Sequence, residues 1–483
     1  MHDDHGHDGC REHHAHPPSP SIVWTSPSIS RRDFFRRASG GFASLALAGM
    51  LAETAKSDRP MAAATADPLA PKPGHFPARA KHVIWLFMPG GVSHVDSFDP
   101  KPALTRDHGK KIGKRIVTKP LWEFRPRGES GIEISDLFPH VAERADDLCV
   151  IRSMNSSHGN HFEATLAMHT GSTSFAMPSV GAWMSYGLGT INQNLPSFVV
   201  LAPKYPYAGE QVWDSNFLPG CHRGVRFVPG DNPVANLDPR VPSSDLQRLE
   251  LDMLGRVNRE HQEPRASNRD LESRIRSFEM AFAMQREAPD AFDLSGESDD
   301  TLAMYGLERG KNQGFGWQCL MARRLVERGV RFVELIDVGA SGNWDDHGNM
   351  ERHGRLARNI DRPIAGLLDD LKRRGLLEDT LMVWTTEFGR TPTAKPDALK
   401  GRDHHPAAFS TWLAGGGVKG GFVHGETDEL GNKVARDRVH VHDLHATILH
   451  LMGLDHERLT YRHAGRDFRL TDVHGNVIRD LLA

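Results

Sequence analysis

The stretch that decides the fold is HVIWLFM, residues 82–88, which is followed at once by Pro89, Gly90 and Gly91. Every residue after the initial histidine is apolar, so a strand formed here has no polar face to turn toward water. Proline and glycine then stop the strand and turn the chain. The stretch therefore predicts a buried central strand in a sheet that is covered on both faces.

Similar apolar runs recur along the chain and alternate with segments that have the helical repeat. The runs lie at 148–152, 198–201, 331–336, 381–386 and 411–414. Helical patterns cover 316–327, 355–374 and 442–452, and a glycine follows each of them, as at many helix ends. Buried strands that alternate with helices predict an α/β fold with a mainly parallel central sheet and helices on both faces.

Composition narrows the class of protein. The chain has 483 residues and a formal net charge of -3, with 39% hydrophobic and 25% charged residues. It can therefore bury a large core, and no excess of positive charge points to nucleic acid or an anionic membrane as partner. The four cysteines are too few for a disulfide framework. We expect a small molecule as partner and leave the oligomeric state open.

The amino-terminal segment has the features of an export signal. Residues 30–36 read SRRDFFR, and 38–52 form a short, glycine-rich, weakly apolar stretch. This order is typical of a twin-arginine (Tat) signal, and Ala64, Thr65 and Ala66 suit a cleavage site. We predict that residues 1–66, with a histidine-rich leader, are removed, leaving an extracytoplasmic protein, periplasmic if the cell has a periplasm, with no stable membrane span. The alternatives are an uncleaved anchor and a chance basic patch.

The rest of the chain is interpreted as one domain with an insertion. Residues 67–81 are rich in proline, alanine and lysine and are predicted to form a linker. The domain then covers 82–483. Between about 203 and 310 the pattern changes to loops rich in proline, glycine and aromatic residues, followed by a charged helix at 270–286. We predict that this segment is an inserted cap.

Histidines and carboxylates follow the predicted strands, where parallel sheets bind their ligands. The candidate metal ligands in these clusters are His94, Asp96, His161, Asp345, His347, Glu387 and His404. Imidazole and carboxylate suit zinc, manganese or iron, and the clusters lack the cysteines of a sulfur-rich zinc site. Any single cluster is explained more simply by a hydrogen-bonded histidine or a capping aspartate. Five clusters at equivalent positions favour a shared site.

Other residues near these strand ends suit an anionic substrate. Gly90 and Gly91 would let backbone N–H groups approach an anion, and Arg390 could hold a phosphate or sulfate oxygen. A tight turn and a local ion pair are the simpler alternatives. Ser156 and Ser157 are candidate nucleophiles, although serine in such a loop is commonly a helix N-cap.

Four motifs carry a family resemblance. They are GGVSHVDSFDPKP at 90–102, CLMARRLVERGVRFV at 319–333, WDDH at 344–347 and TEFGRTP at 386–392. From residue 30 onward the chain resembles the Tat-exported family of domain of unknown function 1501. That family is similar to the alkaline phosphatase and sulfatase superfamily. The resemblance implies an alkaline-phosphatase-like α/β fold with one or two metals at the strand ends.

The chain departs from the superfamily pattern in two places. Where the superfamily has an Asp-His pair after a late strand, this chain has Glu387 and Phe388, and phenylalanine cannot bind a metal. An aspartate expected after the first strand is replaced by Pro89 or Gly90. His404 matches a later superfamily histidine. Either His94, Asp96 and His161 rebuild the metal site, or the fold serves binding alone.

The leading hypothesis is an exported metal-dependent hydrolase or transferase of a phosphate or sulfate ester, with a small-molecule or glycan ester as substrate. Its ligands would be Asp345, His347, Glu387 and His404, and its cofactor a divalent metal, zinc first, with manganese, iron or calcium as alternatives. The alternative is a catalytically degenerate protein that binds an anionic glycan or a partner enzyme.

Overall fold

The computed structural model describes residues 67–234, 237, 243–265 and 269–483. The predicted export signal lies outside these residues. Segment 67–81, predicted as a linker, hydrogen-bonds to the domain through Lys72, whose backbone N–H donates to Leu188, and through His75, whose backbone N–H donates to Gly453. Within the described residues no helix is both long and apolar enough to cross a bilayer.

A single large sheet organises the described residues. Its strands, in chain order, are β1 His82–Phe87, β2 Leu148–Asn155, β3 Phe198–Leu201, β4 Val225–Phe227, β5 Phe332–Ile336, β6 Thr380–Thr385, β7 Phe409–Ala414, β8 Phe422–His424 and β9 Val439–His440. The order across the sheet is β8-β2-β7-β6-β1-β5-β3-β4, with β9 also paired to β2. β1 lies between β5 and β6 and is fully buried, as its sequence predicts.

The sheet is mainly parallel, which confirms the prediction. β7 is the exception, since it runs antiparallel to both β6 and β2. Its composition resembles that of its neighbours because burial, and not direction, determines which side chains a strand needs. The short strands β4, β8 and β9 were not predicted, because segments of two or three residues carry too little periodicity.

Helices cover both faces of the sheet. They are α1 Pro102–Arg106, α2 Pro139–Ala142, α3 His161–Thr170, α4 Val180–Leu188, α5 Ser244–Gln262, α6 Arg269–Phe292, α7 Asp299–Met304, α8 Gly314–Glu327, α9 Arg352–Arg373 and α10 Val441–Leu451. Alternate residues of β1 enter different cores. Ile84 and Leu86 pack with α8 and α9, whereas Trp85 packs with α3, α4 and α10. The three-layer α/β architecture follows from this division.

Several short elements complete the fold. The 3-10 helices are His94–Asp96, Ala145–Asp147, Gly209–Trp213, Gly220–His222, Glu263–Arg265 and Arg479–Leu481. Small two- and three-stranded sheets are formed by Lys111–Ile112, Arg115–Val117, Phe124–Arg127, Ile132–Ser135, Gly389–Arg390, Thr393–Ala394, His404–His405, Glu426–Thr427, Val434–Arg436, Tyr461–His463 and Arg466–Phe468.

The segment predicted to be a cap contributes to the domain in three ways. β4 extends the main sheet at its edge beside β3. Helix α6 packs Met284, Ala288 and Ala291 into the core beside α8. Tyr207, near the start of this segment, reaches the carboxyl end of the sheet, where the candidate site lies.

Candidate metal centre

The candidate site forms where loops from three neighbouring strands meet a helix start. β1, β5 and β6 are adjacent and parallel, so their carboxyl ends lie side by side. The loop after β5 supplies Asp345 and His347. His404 lies in a short strand that pairs with Gly389–Arg390, just after β6. His161 is the first residue of α3, because the loop after β2 ends there.

We call His161, Asp345, His347 and His404 the strand-end cluster. His161 Nε2 lies 3.2 Å from Asp345 Oδ2. His347 Nε2 and His404 Nε2 lie 3.2 and 3.4 Å from Asp345 Oδ1, and 3.0 Å from each other. Ligand atoms of His161, Asp345 and His404 all fall within 4.8 Å of one another. Three imidazoles therefore converge on one carboxylate.

The hydrogen bonds behind the rings set which nitrogen carries the proton. His161 Nδ1 lies 2.6 Å from the Glu387 carboxylate, His404 Nδ1 2.8 Å from the Gly159 carbonyl and His347 Nδ1 3.0 Å from the Asp403 carboxylate. Each of these oxygens accepts, so each Nδ1 donates. In the neutral rings all three Nε2 atoms are then unprotonated and carry their lone pairs into the cluster.

This arrangement fits a divalent cation. Lone pairs of His347 and His404 face each other at 3.0 Å, which is repulsive unless a proton or a cation lies between them. His161 Nε2 is buried and makes no hydrogen bond. The His161 and His404 Nε2 atoms lie 3.2 and 3.4 Å from Asp345 oxygens, which compares with about 3.3 Å between ligands at two corners of a zinc tetrahedron with bonds of roughly 2.0–2.1 Å. The donor set matches metal ligation better than hydrogen bonding.

The electrostatic environment also favours a positive charge between these groups. Burial works to lower the pKa of His161, but Asp345 and Glu387 together raise it above its ordinary value. Burial works to raise the pKa of Asp345, yet the neighbouring imidazoles of His161 and His404 and the Arg390 guanidinium bring it far below its ordinary range. Asp345 is therefore anionic, the form that binds metal.

Glu387 lies behind His161 and not beside the converging Nε2 atoms. It is fully buried, and its carboxylate accepts the Gly90 backbone N–H with Oε1 at 2.8 Å and Oε2 at 3.1 Å. The same Oε1 orients His161. Carboxylates in this position fix the tautomer and raise the basicity of a metal-binding histidine. The structure thus gives Glu387, predicted as a ligand, the geometry of a ligand's support.

Arg390 is fully buried and is committed to the protein. Its guanidinium donates to the backbone carbonyls of Gly90, Gly91 and Arg402, and to Asp345 Oδ1 at 2.7 Å. The predicted anion-binding arginine instead anchors Asp345 and the turn after β1.

Gly90 and Gly91 form that turn, and the structure shows why glycine is needed there. Gly90 has φ of +118°, and a Cβ on it would collide with the Asn343 side chain and the Asp345 backbone nitrogen. A Cβ on Gly91 would lie 2.8 Å from the Phe388 ring. The Gly90 N–H, predicted to approach an anion, is bound to Glu387.

Neither predicted nucleophile is hydrogen-bonded to the cluster. Ser156 is buried and its Oγ has no partner. Ser157 Oγ lies 2.8 Å from His440 Nε2. Because His440 Nδ1 accepts the backbone N–H of His442, its Nε2 carries the proton and donates to the serine. His440 is therefore not placed as a base for Ser157.

His94 and Asp96, also predicted as ligands, lie in a neighbouring buried network. His94 Nε2 lies 2.8 Å from the Gly431 carbonyl, and burial lowers the pKa of this histidine to about 4. Asp96 is fully buried and pairs with Arg402 at 2.8 Å. Both side chains hold loops together, and the structure does not bring them into the strand-end cluster.

Three contributors escaped the sequence reasoning. Tyr207 stacks on His161 with ring centroids 4.2 Å apart, and its hydroxyl lies 3.5 Å from Asp345 Oδ2. Asn343 donates to the Tyr207 hydroxyl at 2.9 Å. Asp403, which orients His347, is also held by Arg115 and Lys395. Only Asp403 had a sequence signal, since it directly precedes His404.

Comparison with known proteins identifies the family. A family model described as a protein of unknown function (DUF1501) matches residues 80–482. The chain belongs to this family. The resemblance carried by the four motifs is thereby confirmed. No curated protein matches the chain in sequence.

Solved structures match at low identity. A protein of the alkaline phosphatase superfamily from Vibrio parahaemolyticus is 11% identical, with 80% of this chain and 70% of that one covered and a TM-score of 0.34. The PsFucS1 sulfatase from Pseudoalteromonas sp. is 14% identical, with 78% and 68% covered and a TM-score of 0.35. A phosphonate monoester hydrolase from Silicibacter pomeroyi is 10% identical, with 83% and 76% covered and a TM-score of 0.34.

Proposed function

We propose that the chain is an exported, metal-dependent hydrolase or transferase that acts on a phosphate or sulfate ester. The observation that carries the proposal is the convergence of three imidazole Nε2 atoms on Asp345 at the open edge of the sheet. A structural metal site would be closed by its protein ligands, whereas a catalytic site keeps a position open. The side chains of Asp345 and His347 are 28% and 45% exposed, so the cluster opens to solvent.

The donor set narrows the choice of metal. Two imidazole nitrogens and one carboxylate suit zinc, manganese or iron better than calcium, which prefers oxygen ligands. His161, Asp345 and His404 would hold the ion and leave a coordination position open, with His347 beside it. An ion bound there would polarise an ester oxygen and acidify a bound water, which is the chemistry that ester cleavage requires.

The surrounding residues of this chain position the ligands and limit access. Glu387 orients the ring of His161 and Asp403 orients the ring of His347, while Arg390 donates a hydrogen bond to Asp345. Phe388 packs 4.9 Å from the His161 ring and Tyr207 covers it at 4.2 Å. Water and substrate would therefore enter on the more exposed side, beside His347. Because no serine among the described residues is hydrogen-bonded to the cluster, we assign the attacking group to water.

One observation favours the alternative, a protein that binds an anionic glycan or a partner enzyme without cleaving it. Phe388 is fully buried and packs against both His161 and His404, with centroids 4.9 and 4.6 Å away. An aromatic ring there supplies no donor for a second ion. A single ion can bind an anion without supporting turnover.

Metal analysis and an ester panel test the proposal together. The purified full chain is assayed for zinc, manganese, iron and calcium, then for cleavage of chromogenic phosphate, phosphonate and sulfate esters. His161→Ala and His404→Ala should each lower metal affinity by about 100-fold or more, since a ligand is lost. His474→Ala is the matched control, because this exposed histidine stacks on His442 away from the cluster.

Three outcomes are distinct. Stoichiometric metal with cleavage of one ester class supports the enzyme. Metal that depends on His161 and His404 without cleavage of any ester supports the binding protein. Full metal occupancy in both alanine variants contradicts the shared metal site, on which both the enzyme and the binding-protein proposals depend.

A further inference from the structure

Helix α5 carries an apolar stripe that is exposed among the residues the structure describes. Leu246, Leu249, Met253 and Val257 are 48%, 65%, 37% and 52% exposed. With 100° of rotation per residue in an α-helix, the four side chains fall within an arc of about 80°. Isolated apolar residues are ordinary on protein surfaces, but a continuous stripe marks an interaction site.

The stripe faces away from the rest of the domain. The opposite side of α5 contacts α6, where Gln247 donates to Gln285 at 2.8 Å, and Leu251 lines the cavity between the two helices. The helix therefore already has its intramolecular partner, and the stripe is not needed to attach it. The stripe is therefore available for a further contact.

The charges of α5 exclude an anionic membrane as the partner in that contact. Helices that lie on such membranes carry lysine and arginine on their polar face. Helix α5 carries four carboxylates and three guanidinium groups. We infer instead that a second copy of the chain covers the stripe, with the two α5 helices packed antiparallel about a two-fold axis. This inference is independent of the proposed ester chemistry.

The residues of the stripe are self-complementary in that arrangement. With the axis between Leu249 and Met253, Leu249 of one copy meets Met253 of the other, and Leu246 meets Val257. Asp245 and Arg256 flank the stripe on the same side and are spaced so that each faces its opposite in the second copy. Two symmetry-related ion pairs then border the apolar contact and set its direction.

One residue opposes the association. Glu250 borders the other side of the stripe near the axis, where it approaches Glu250 of the second copy. Like charges at neighbouring positions are destabilising. Glu250→Gln should therefore tighten the dimer, an effect that a nonspecific hydrophobic contact would not show.

Sedimentation equilibrium of the purified full chain tests the interface. We expect a monomer–dimer equilibrium with a dissociation constant of roughly micromolar order. Met253→Lys should weaken it by about 100-fold or more, because two lysines enter the apolar contact. Val473→Lys is the control, since Val473 is 71% exposed and lies outside α5.

Charge reversal tests the antiparallel direction. Arg256→Asp and Asp245→Arg should each weaken self-association by about 10-fold, and an equimolar mixture of the two variants should restore it as a heterodimer. A wild-type chain that stays monomeric at about 100 µM overturns the proposal. So does a dimer that Met253→Lys leaves intact, or a mixture of the charge variants that fails to restore association.

Discussion

The variant Glu387→Gln tests whether Glu387 mainly supports the candidate metal ligand His161 or mainly stabilises the fold. The substitution removes one negative charge with almost no change of side-chain shape. The buried carboxylate accepts from His161 Nδ1 at 2.6 Å and from the Gly90 N–H at 2.8 Å through Oε1. Glutamine keeps an oxygen there. Its amide can donate to Thr386 Oγ1, whose own proton still goes to the Met88 carbonyl at 2.8 Å.

The loss that remains is the negative charge behind the imidazole. Without it His161 is a weaker base and its ring is held less firmly. Loss of such a supporting carboxylate lowers metal affinity by about 10- to 100-fold, or roughly 1.4–2.7 kcal/mol. We expect the upper part of this range, since the contact is short and both partners are buried. The metal-free fold should lose only about 1–2 kcal/mol, the value of one charge-assisted hydrogen bond.

Calorimetric zinc titration, with urea unfolding of the metal-free protein, measures both quantities. Glu351→Gln is the control, because Glu351 is half-exposed and pairs with Lys400 outside the cluster. An unchanged zinc dissociation constant in a folded Glu387→Gln protein would refute the supporting role. Loss of the fold at neutral pH would show that Glu387 serves stability first.

Three further predictions follow from other parts of the chain. Gly90→Ala should lower the free energy of unfolding by several kcal/mol and weaken metal binding, because the added Cβ strains a positive φ and displaces the backbone of Asp345. Urea unfolding and metal titration measure these two effects. Burial lowers the pKa of His222 to about 3, whereas the same histidine in the unfolded chain has an ordinary pKa of about 6.5. Between these two values the unfolded chain binds the proton and the folded chain does not. The free energy of unfolding therefore falls as the pH drops through this interval, by up to about 1.4 kcal/mol per pH unit. His222→Gln should flatten that slope in urea unfolding between about pH 7 and 4, and equal slopes would disprove the assignment. Replacing Arg31 and Arg32 by lysine should retain the precursor in the cytoplasm, because lysine lacks the planar guanidinium; cell fractionation measures it, and normal export would exclude a twin-arginine signal.

The positions of the buried strands were predictable because their apolar runs are continuous. The four strands β1, β3, β5 and β6 were predicted to within one residue at each end, from the apolar runs 82–88, 198–201, 331–336 and 381–386. The antiparallel direction of β7 was not predictable. A strand buried on both faces needs the same side chains whichever way it runs.

The candidate site was likewise predictable in part. Histidine and carboxylate at successive strand ends predicted that a polar site would form there, and parallel strands bring those ends together. The particular partners depend on tertiary packing. Tyr207 arrives from a segment whose sequence carries no sign of the site, and it reaches His161 only because the chain folds back over the sheet edge.

By itself, the sequence determined the family, the mainly parallel sheet and the edge at which chemistry is expected, because periodicity, glycine turns and residue types are local properties. Tertiary structure alone decided the role of each polar side chain. Glu387 and Arg390 have residue types suited to a ligand and an anion clamp, yet burial against the Gly90 turn makes them the supports of His161 and Asp345. Whether a polar group faces an open cluster or lies behind it depends on backbone positions from strands far apart in the chain, which no local pattern records.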